Sequence, residues 1–527
     1  MTSPQVYPSK INYRPGRVQT LTPEHEILLK QCWATLLRIW GYDVQLSESD
    51  IKNRDAFVVS QMVQNMCRDS DAASLKLETK KKRGLFSRKP AASAPVRPVS
   101  DKRAKELQNG SMEKYVTTDV ASELTRNVYF NIYKQNYANY FMDESEIDSV
   151  DVQSIDTFVT ATTTFSQTLT DLASLKADFG ESASVFSSTT ALSRPGFRGK
   201  YRQYDPLDLH SAMFKVVKND LVDNFVLRYI RARKCKYEDA MAMLTKTLNW
   251  RQNECPVEEW LLEGDAPSYV AGTNKGFVKN FTVSKSFIRG HDKNKNPLFV
   301  FQSKKHFASD TTQAETERFA LLIIEWCRLH LRDVNESVDT CSLVFDLSGF
   351  SLKNADNAPV KFLTSMFESH YPESLGIVVV HNAPWIFSTV WNVIKNWLDP
   401  VVASKIHFTK GFDDIAKFID PEHIPEYLGG NDTEDLSYPK PSEEHTTPMK
   451  TRDAEFLRLC SVRDELYVRF IDATIRWVES TNPEVSSQYL KDKIQISYEL
   501  SDNYIALDPY LRNPGVFDRN GFLSLRN

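Results

Sequence analysis

Four short and almost uninterrupted apolar runs limit this fold more than anything else in the chain. They lie at 296–301 (NPLFVF), 340–346 (TCSLVFD), 375–381 (LGIVVVH) and 405–409 (KIHFT). A strand with one wet face alternates apolar with polar residues, and these runs do not, so both of their faces must be covered. Stretches with helical spacing at 312–332, 357–369 and 385–398 separate them. Strands that alternate with helices pair in parallel, because each crossover carries the chain back to the same end of the sheet. The fold class expected is therefore α/β, with a mainly parallel β-sheet.

The rest of the chain divides around that core. Residues 1–20 carry Pro, Lys and Arg without periodicity and are expected to be disordered. A helix is predicted over 22–40: Thr22 caps it, Pro23 suits its first turn, and Glu24 and Glu26 suit its dipole. Its stripe of Leu28, Leu29, Cys32, Trp33, Leu36, Leu37 and Trp40 needs a partner. Residues 45–205 read as a largely disordered insertion, basic at first and then rich in Ser and Thr. Its basic stretch, from Lys80 to Arg103, is either a solvated loop or a tether to anionic headgroups with Leu85 and Phe86 as its apolar plug. Helices are predicted at 208–218, 221–234 and 237–253, and again at 411–418 and 452–479. The layout expected is a first helix at 21–44, a helical domain at 206–255, the α/β domain at 270–431, a linker at 432–450 and a helical extension at 451–527.

Bulk properties exclude several function classes. With 527 residues the chain exceeds one compact core. A net charge of −4 argues against a general nucleic-acid binder. The seven cysteines are scattered, form no CxxC pair and stand in no metal-ligand spacing with histidine, so they read as reduced thiols of a cytoplasmic protein. No secretory h-region and no run of eighteen uncharged apolar residues occurs, so membrane contact is expected to be peripheral. Glycine-rich phosphate loops, HExxH and GxSxG are missing, and Asp346, at a strand end three residues before Gly349, reads as a turn cap; nothing marks the chain as an enzyme.

Two segments carry the functional signal. The helix end at 226–234 (VLRYIRARK) holds Arg228, Arg231, Arg233 and Lys234. The segment 371–406 (YPESLGIVVVHNAPWIFSTVWNVIKNWLDPVVASKI) is a buried strand, then a helix apolar on nearly every side, then Lys405. An ordinary surface helix keeps a polar face, and this one has almost none. An apolar helix beside fixed positive charge is a means of building a greasy pocket with an anion-binding mouth.

These same residues resemble a known family. The 226–234 helix end followed by Asn249-Trp250-Arg251 is similar to the helical lead-in of CRAL-TRIO lipid-binding domains. Residues 295–301, 341–349, Tyr371-Pro372-Glu373, Asn382-Ala383-Pro384 and 397–406 (WLDPVVASKI) resemble that family's core in order and spacing. The likeness covers about residues 205–430 and is most specific over 371–406. Within the family it is most similar to the fungal phosphatidylinositol transfer proteins, in their CSR subgroup.

The resemblance implies a CRAL-TRIO-like sheet flooring a hydrophobic cavity that holds one lipid, with Phe299, Phe301, Leu343, Phe345 and Val379 as floor. It implies a gate helix built of Trp385, Phe387, Val390, Trp391, Ile394, Trp397 and Leu398. It assigns the phosphatidylinositol headgroup to Arg233, Glu373 and Lys405, with Arg231 and Lys234 secondary. The chemistry fits: a guanidinium forks onto phosphate oxygens, an ammonium adds a point charge, and a carboxylate accepts from inositol hydroxyls. The competing roles are a helix cap for Arg233 and a salt bridge for Glu373. Two positions depart from the family. Val402 stands where relatives carry a headgroup-binding Thr. Cys341 and Leu343 replace the Ser and Thr of a phosphatidylcholine site, which makes the cavity more apolar. The function expected is non-enzymatic transfer or presentation of phosphatidylinositol, without cofactor or metal, by a monomer that contacts endoplasmic reticulum, lipid droplet or endosomal membranes transiently. The alternatives are a carrier or sensor of a neutral lipid such as a sterol precursor, and a regulatory scaffold that binds protein partners through 45–205.

Overall fold

The computed structural model describes residues 13–40, 42, 44–67, 201 and 203–525. The basic stretch from Lys80 to Arg103, and most of the region read as an insertion, lie outside these residues.

Five strands form one sheet in the order β1-β2-β3-β4-β5. They are β1 (Ser286–His291), β2 (Pro297–Gln302), β3 (Cys341–Asp346), β4 (Leu375–His381) and β5 (Ile406–Thr409). β2 to β5 are the four apolar runs, and each pairs in parallel with its neighbour. β1 is an antiparallel edge strand that pairs with β2, and its interleaved Arg289 and His291 hide it from a search for apolar runs. Cβ atoms alternate across a strand, so each strand serves two layers. Phe287, Leu298, Val300, Val344 and Val379 pack one way, onto Ile415, Ile419, Ile424 and Leu428. Phe299, Phe301, Leu343, Phe345, Val378 and Val380 point the other way. Val379, expected on the cavity floor, therefore lies in the opposite layer. Its neighbours Val378 and Val380 take the place it was given, because one step along a strand reverses the face. Gly376 lets β4 approach β3 at the irregular step in their register, since a Cβ there would meet Ser342 Oγ at 2.5 Å.

The first long helix, α1 (Pro23–Ile39), starts as expected, with the Thr22 hydroxyl accepting from His25 N at 3.2 Å. Its apolar stripe packs with α2 (Pro206–Val216), α3 (Val222–Ala232) and α4 (Tyr237–Asn249) in one continuous core. Three helices cover the cavity side of the sheet: α5 (Gln313–Leu329), α6 (Asn357–Ser369) and α7 (Phe387–Ile394). The extension is a pair of long helices, α8 (Ala454–Glu479) and α9 (Pro483–Leu511), which joins the same core as α1. Trp33 stacks edge-on against Phe470 at 5.4 Å, and the buried Arg463 donates to the Val217 carbonyl at 3.0 Å.

Three expected boundaries change. Residues 13–20 are packed, not disordered: Arg14 and Arg17 bond Asp339, and Val18 is buried. The start of the expected insertion is also packed, with Ile51 and Val63 buried and Ser60 N donating to Glu26 Oε2 at 2.9 Å. The expected linker is tied down at two points, by an ion pair from Arg289 to Asp432 at 2.8 Å and by Tyr438 donating to Asp265. In each case a few polar anchors do what the sparse apolar content suggested could not be done.

Candidate functional site: an apolar cavity with a cationic end

Between the sheet and α5–α7 lies a cavity of about 260 Å³. Its sheet side presents Phe299, Phe301, Leu343 and Phe345, the floor residues expected apart from Val379. Cys341 also lines it. From α7 and the turn after it, Phe387, Val390, Trp391, Ile394 and Leu398 face the cavity. Their spacing of three and four residues is one face of a helix. Trp385 and Trp397 do not line the cavity, and Trp385 is 85% exposed. With Val393, Val401 and Phe408, also exposed, it forms an apolar outer rim. The segment thus offers apolar side chains inward and outward at once. Trp391 braces Phe408 edge-on at 5.0 Å and so ties the helix to β5.

Charge gathers at the N-terminal edge of the sheet. Glu373 precedes β4 and Lys405 precedes β5, so parallel pairing brings them to the same edge. Glu373 holds a left-handed φ of 54°, and its carbonyl accepts from Arg228 at 2.8 Å. Lys405 donates to the Leu375 carbonyl at 2.6 Å. Burial pushes its amine below the ordinary lysine value, and the nearby Glu373 and Asp339 carboxylates act the other way. Glu373 has no ion pair within 4.0 Å among the described residues, but its carboxylate is near enough to favour the charged forms of Lys405 and Arg231.

Arg231 and Arg233 part company here. Residues two apart on a helix point to opposite sides. Arg231 turns inward, donates to the Gly16 carbonyl and lies 3.9 Å from Asp339. Burial pushes it down to about 10, with Arg17 and Arg228 adding like charge. Arg233 closes the C-terminal end of α3 and is exposed, as is Lys234. The helix stops there because Lys234 and Cys235 both take left-handed backbone.

Four residues at this edge were missed. Asp339, almost fully buried, accepts from Arg17 Nε at 2.8 Å and from Arg14 at 3.2 Å. Arg228 donates to the carbonyls of both Asp339 and Glu373. Arg14 also reaches Thr340 and Asn296, at 2.9 and 2.8 Å. Of the four, only Arg228 lay in a segment already singled out. Arg14 and Arg17 are more than three hundred residues away in sequence from the aspartate they meet, so no local pattern points to them. Among the described residues, no group of His, Cys, Asp and Glu is placed to hold a metal, and no helix is long and apolar enough to cross a membrane.

The comparisons agree with this geometry. The CRAL/TRIO domain matches residues 282–430, and the CRAL/TRIO N-terminal domain matches residues 173–246. The chain is 35% identical over 515 residues to phosphatidylinositol transfer protein CSR1 of Eremothecium gossypii, a match over 97% of this chain and 99% of that one. It is 33% identical over 322 residues to CRAL-TRIO domain-containing protein C3H8.02 of Schizosaccharomyces pombe, covering 61% of this chain and 70% of the other. A second protein of that yeast, CRAL-TRIO domain-containing protein C365.01, is 26% identical over 345 residues, 63% of this chain and 91% of its own length. A likeness that runs nearly the full length of both chains, with the two domain matches and a sheet-floored apolar cavity, makes this chain a member of the CRAL-TRIO family.

Proposed function

We propose that this protein extracts a phosphatidylinositol from one membrane, carries it with its acyl chains in the cavity, and releases it at another, without chemical change to the lipid. The observation that carries this reading is one apolar cavity whose nearby sheet edge gathers Lys405, Arg231 and Glu373. Removing a methylene from water is worth about 0.8 kcal/mol, so a diacyl lipid of roughly thirty methylenes does not leave a bilayer unaided. A cavity that replaces the bilayer's apolar surroundings makes exchange close to neutral. Acyl chains look alike, so selectivity falls to a few polar contacts. In this reading Lys405 and Arg233 meet the phosphate, Glu373 accepts from inositol hydroxyls, and Arg231 and Lys234 add positive field. α7 opens at the membrane, and the outer rim around Trp385 touches lipid first. One of the relatives is named for phosphatidylinositol transfer, and no reaction is assigned to this chain.

The reading also places the protein in the cytoplasm, as a monomer that meets membranes briefly. Its test is direct. Purified full-length protein is extracted with organic solvent and its bound lipid identified by mass spectrometry. Transfer of labelled phosphatidylinositol between vesicles is then measured for the wild type, Lys405→Ala and Arg233→Ala. Near-stoichiometric phosphatidylinositol and a tenfold or larger loss of transfer in Lys405→Ala are expected. Undiminished transfer by a folded Lys405→Ala variant rejects the headgroup assignment.

A further inference from the structure

A second polar cluster borders the same cavity far from Lys405. Lys285 ends the turn before β1, His306 follows β2, and Asp356 caps α6. Lys285 lines the cavity and is 2% exposed. Its Nζ donates to Asn280 Oδ1 at 2.6 Å and meets His306 Nδ1 at 3.1 Å. His306 Nε2 lies 3.2 Å from Asp356 Oδ2. The network sets the tautomer: Nδ1 takes the lysine's hydrogen bond, so Nε2 carries the proton and donates it to Asp356. Asn280, His306, Asn354 and Asp356 also line the cavity.

The arrangement is unusual in what the lysine lacks. A buried cation normally has a carboxylate against it. Lys285 forms no ion pair among the described residues, and both of its partners are neutral acceptors. An ammonium has three donors, and two are taken. Burial pushes the amine down to about 8, which leaves it mainly charged at neutral pH; the nearest carboxylates, Asp310 and Asp356, pair with Lys279 and His306 instead. The two polar ends are also well separated. Lys405 and Glu373 sit at the N-terminal edge of the parallel strands, whereas His306 follows the C-terminal end of β2. A strand of six residues puts roughly 20 Å between these edges.

We propose that Lys285, held by Asn280 and His306, is a binding site for the carboxylate of a long-chain fatty acid whose alkyl chain lies in the apolar cavity. The carboxylate supplies the charge partner that the lysine lacks and accepts its third N–H. The floor of Phe299, Phe301, Leu343 and Phe345 needs only an unbranched apolar chain.

The test uses full-length protein and a fatty acid with a fluorescent polyene tail, beside its methyl ester, which keeps the chain and removes the charge. Wild-type protein is expected to bind the acid at least tenfold tighter than the ester. Lys285→Met is expected to abolish that preference by weakening the acid alone, with ester affinity reporting an intact cavity. Equal affinities for acid and ester in the wild type, binding of neither, or a folded Lys285→Met protein that keeps the preference overturns the proposal. The wild-type comparison stands even where the variant does not fold. Phosphatidylinositol transfer is read on the same preparations. Lys285→Met should keep it and Lys405→Ala should keep the acid preference, so failure at one end of the cavity is distinct from failure at the other.

Discussion

Asp339 shows how much one buried carboxylate can organise. It ties Arg14 and Arg17 to the sheet and faces Arg231, while Arg228 holds its backbone carbonyl. Burial acts against its negative charge, but Arg228, Arg17, Arg231 and Arg14 together hold the carboxyl below its ordinary value. Its stabilising contribution is thus present above the unfolded value near 3.9 and is lost as pH falls through the lower folded value. Removing one member of a buried ion pair typically costs about 3 kcal/mol or more, because the other charge is left uncompensated. Asp339→Asn should lower stability by about that amount at pH 7 and flatten its fall below pH 4, as denaturant titrations across pH would show. A variant as stable as the wild type at pH 7 would mean that the arginines are held by their carbonyl bonds alone. Only part of this site was legible in the sequence. Glu373 and Lys405 entered through the family resemblance of 371–406, and the strands that follow them explain only why both reach one edge of the sheet. Asp339 stands beside one too, but its meaning depends on two arginines from the far N-terminus. That Arg231 turns inward and Arg233 stays exposed follows from the rotation of α3, which a stretch of alternating arginines does not reveal.

At the scale of an element, α7 has one apolar face, toward the cavity, and an exposed face of Ser388, Thr389, Asn392 and Val393. Phe387, Val390, Trp391 and Ile394 close the cavity, while Trp385, just before the helix, and Val393 are exposed. An aromatic ring at a membrane interface can bury its body and keep its N–H wet, which suits Trp385 to first contact. Trp385→Ser should weaken association with phosphatidylcholine vesicles about tenfold, or about 1.4 kcal/mol, in a sedimentation assay, and leave the melting temperature unchanged. Undiminished sedimentation would move the docking face elsewhere. The apolar content of 385–398 made this helix legible in advance, as continuous apolar runs did for β2 to β5, but the expected lack of a polar side is not met, because Ser388, Thr389, Asn392, Lys395 and Asn396 lie exposed on its outer side. Strand β1 escaped because an edge strand needs only one covered face, and Arg289 uses the other to pair with Asp432. The face assignment of Val379 failed for a related reason. In a run such as Ile377-Val378-Val379-Val380 every residue is apolar, so the sequence carries no phase, and only the pairing of β4 with β3 and β5 sets it.

Across the whole molecule, the lead-in helices, the lipid domain and the C-terminal helices are joined by buried charge. Lys218, Arg251 and Arg328 of the lead-in and α5 regions converge on Glu258 and Glu325. On the other side of the lead-in helices, Lys493 of α9 reaches Asp223 of α3 at 3.1 Å, and Trp33 of α1 donates to the same oxygen at 2.7 Å. Lys493 is fully enclosed by Trp33, Phe470 and Trp477, with Trp477 4.1 Å away. The extension is therefore a wall of the lead-in core, and its removal would expose α1. Burial pushes the Lys493 amine down to about 8, against Asp223, which favours the charge. In the unfolded chain a lysine titrates near 10.4. Between these values the unfolded chain holds more protons than the folded one, so stability gains with pH across the window. The gain attributable to this residue is about 3 kcal/mol over roughly 2.4 pH units. Other groups titrate in the same range, buried tyrosines among them, so the quantity to measure is the difference between wild type and Lys493→Met. That difference should shift in favour of the wild type by about 3 kcal/mol between pH 8 and 10.4. Parallel stability curves would show that Asp223 keeps the amine near its ordinary value, and that the extension is joined to α3 by a plain ion pair.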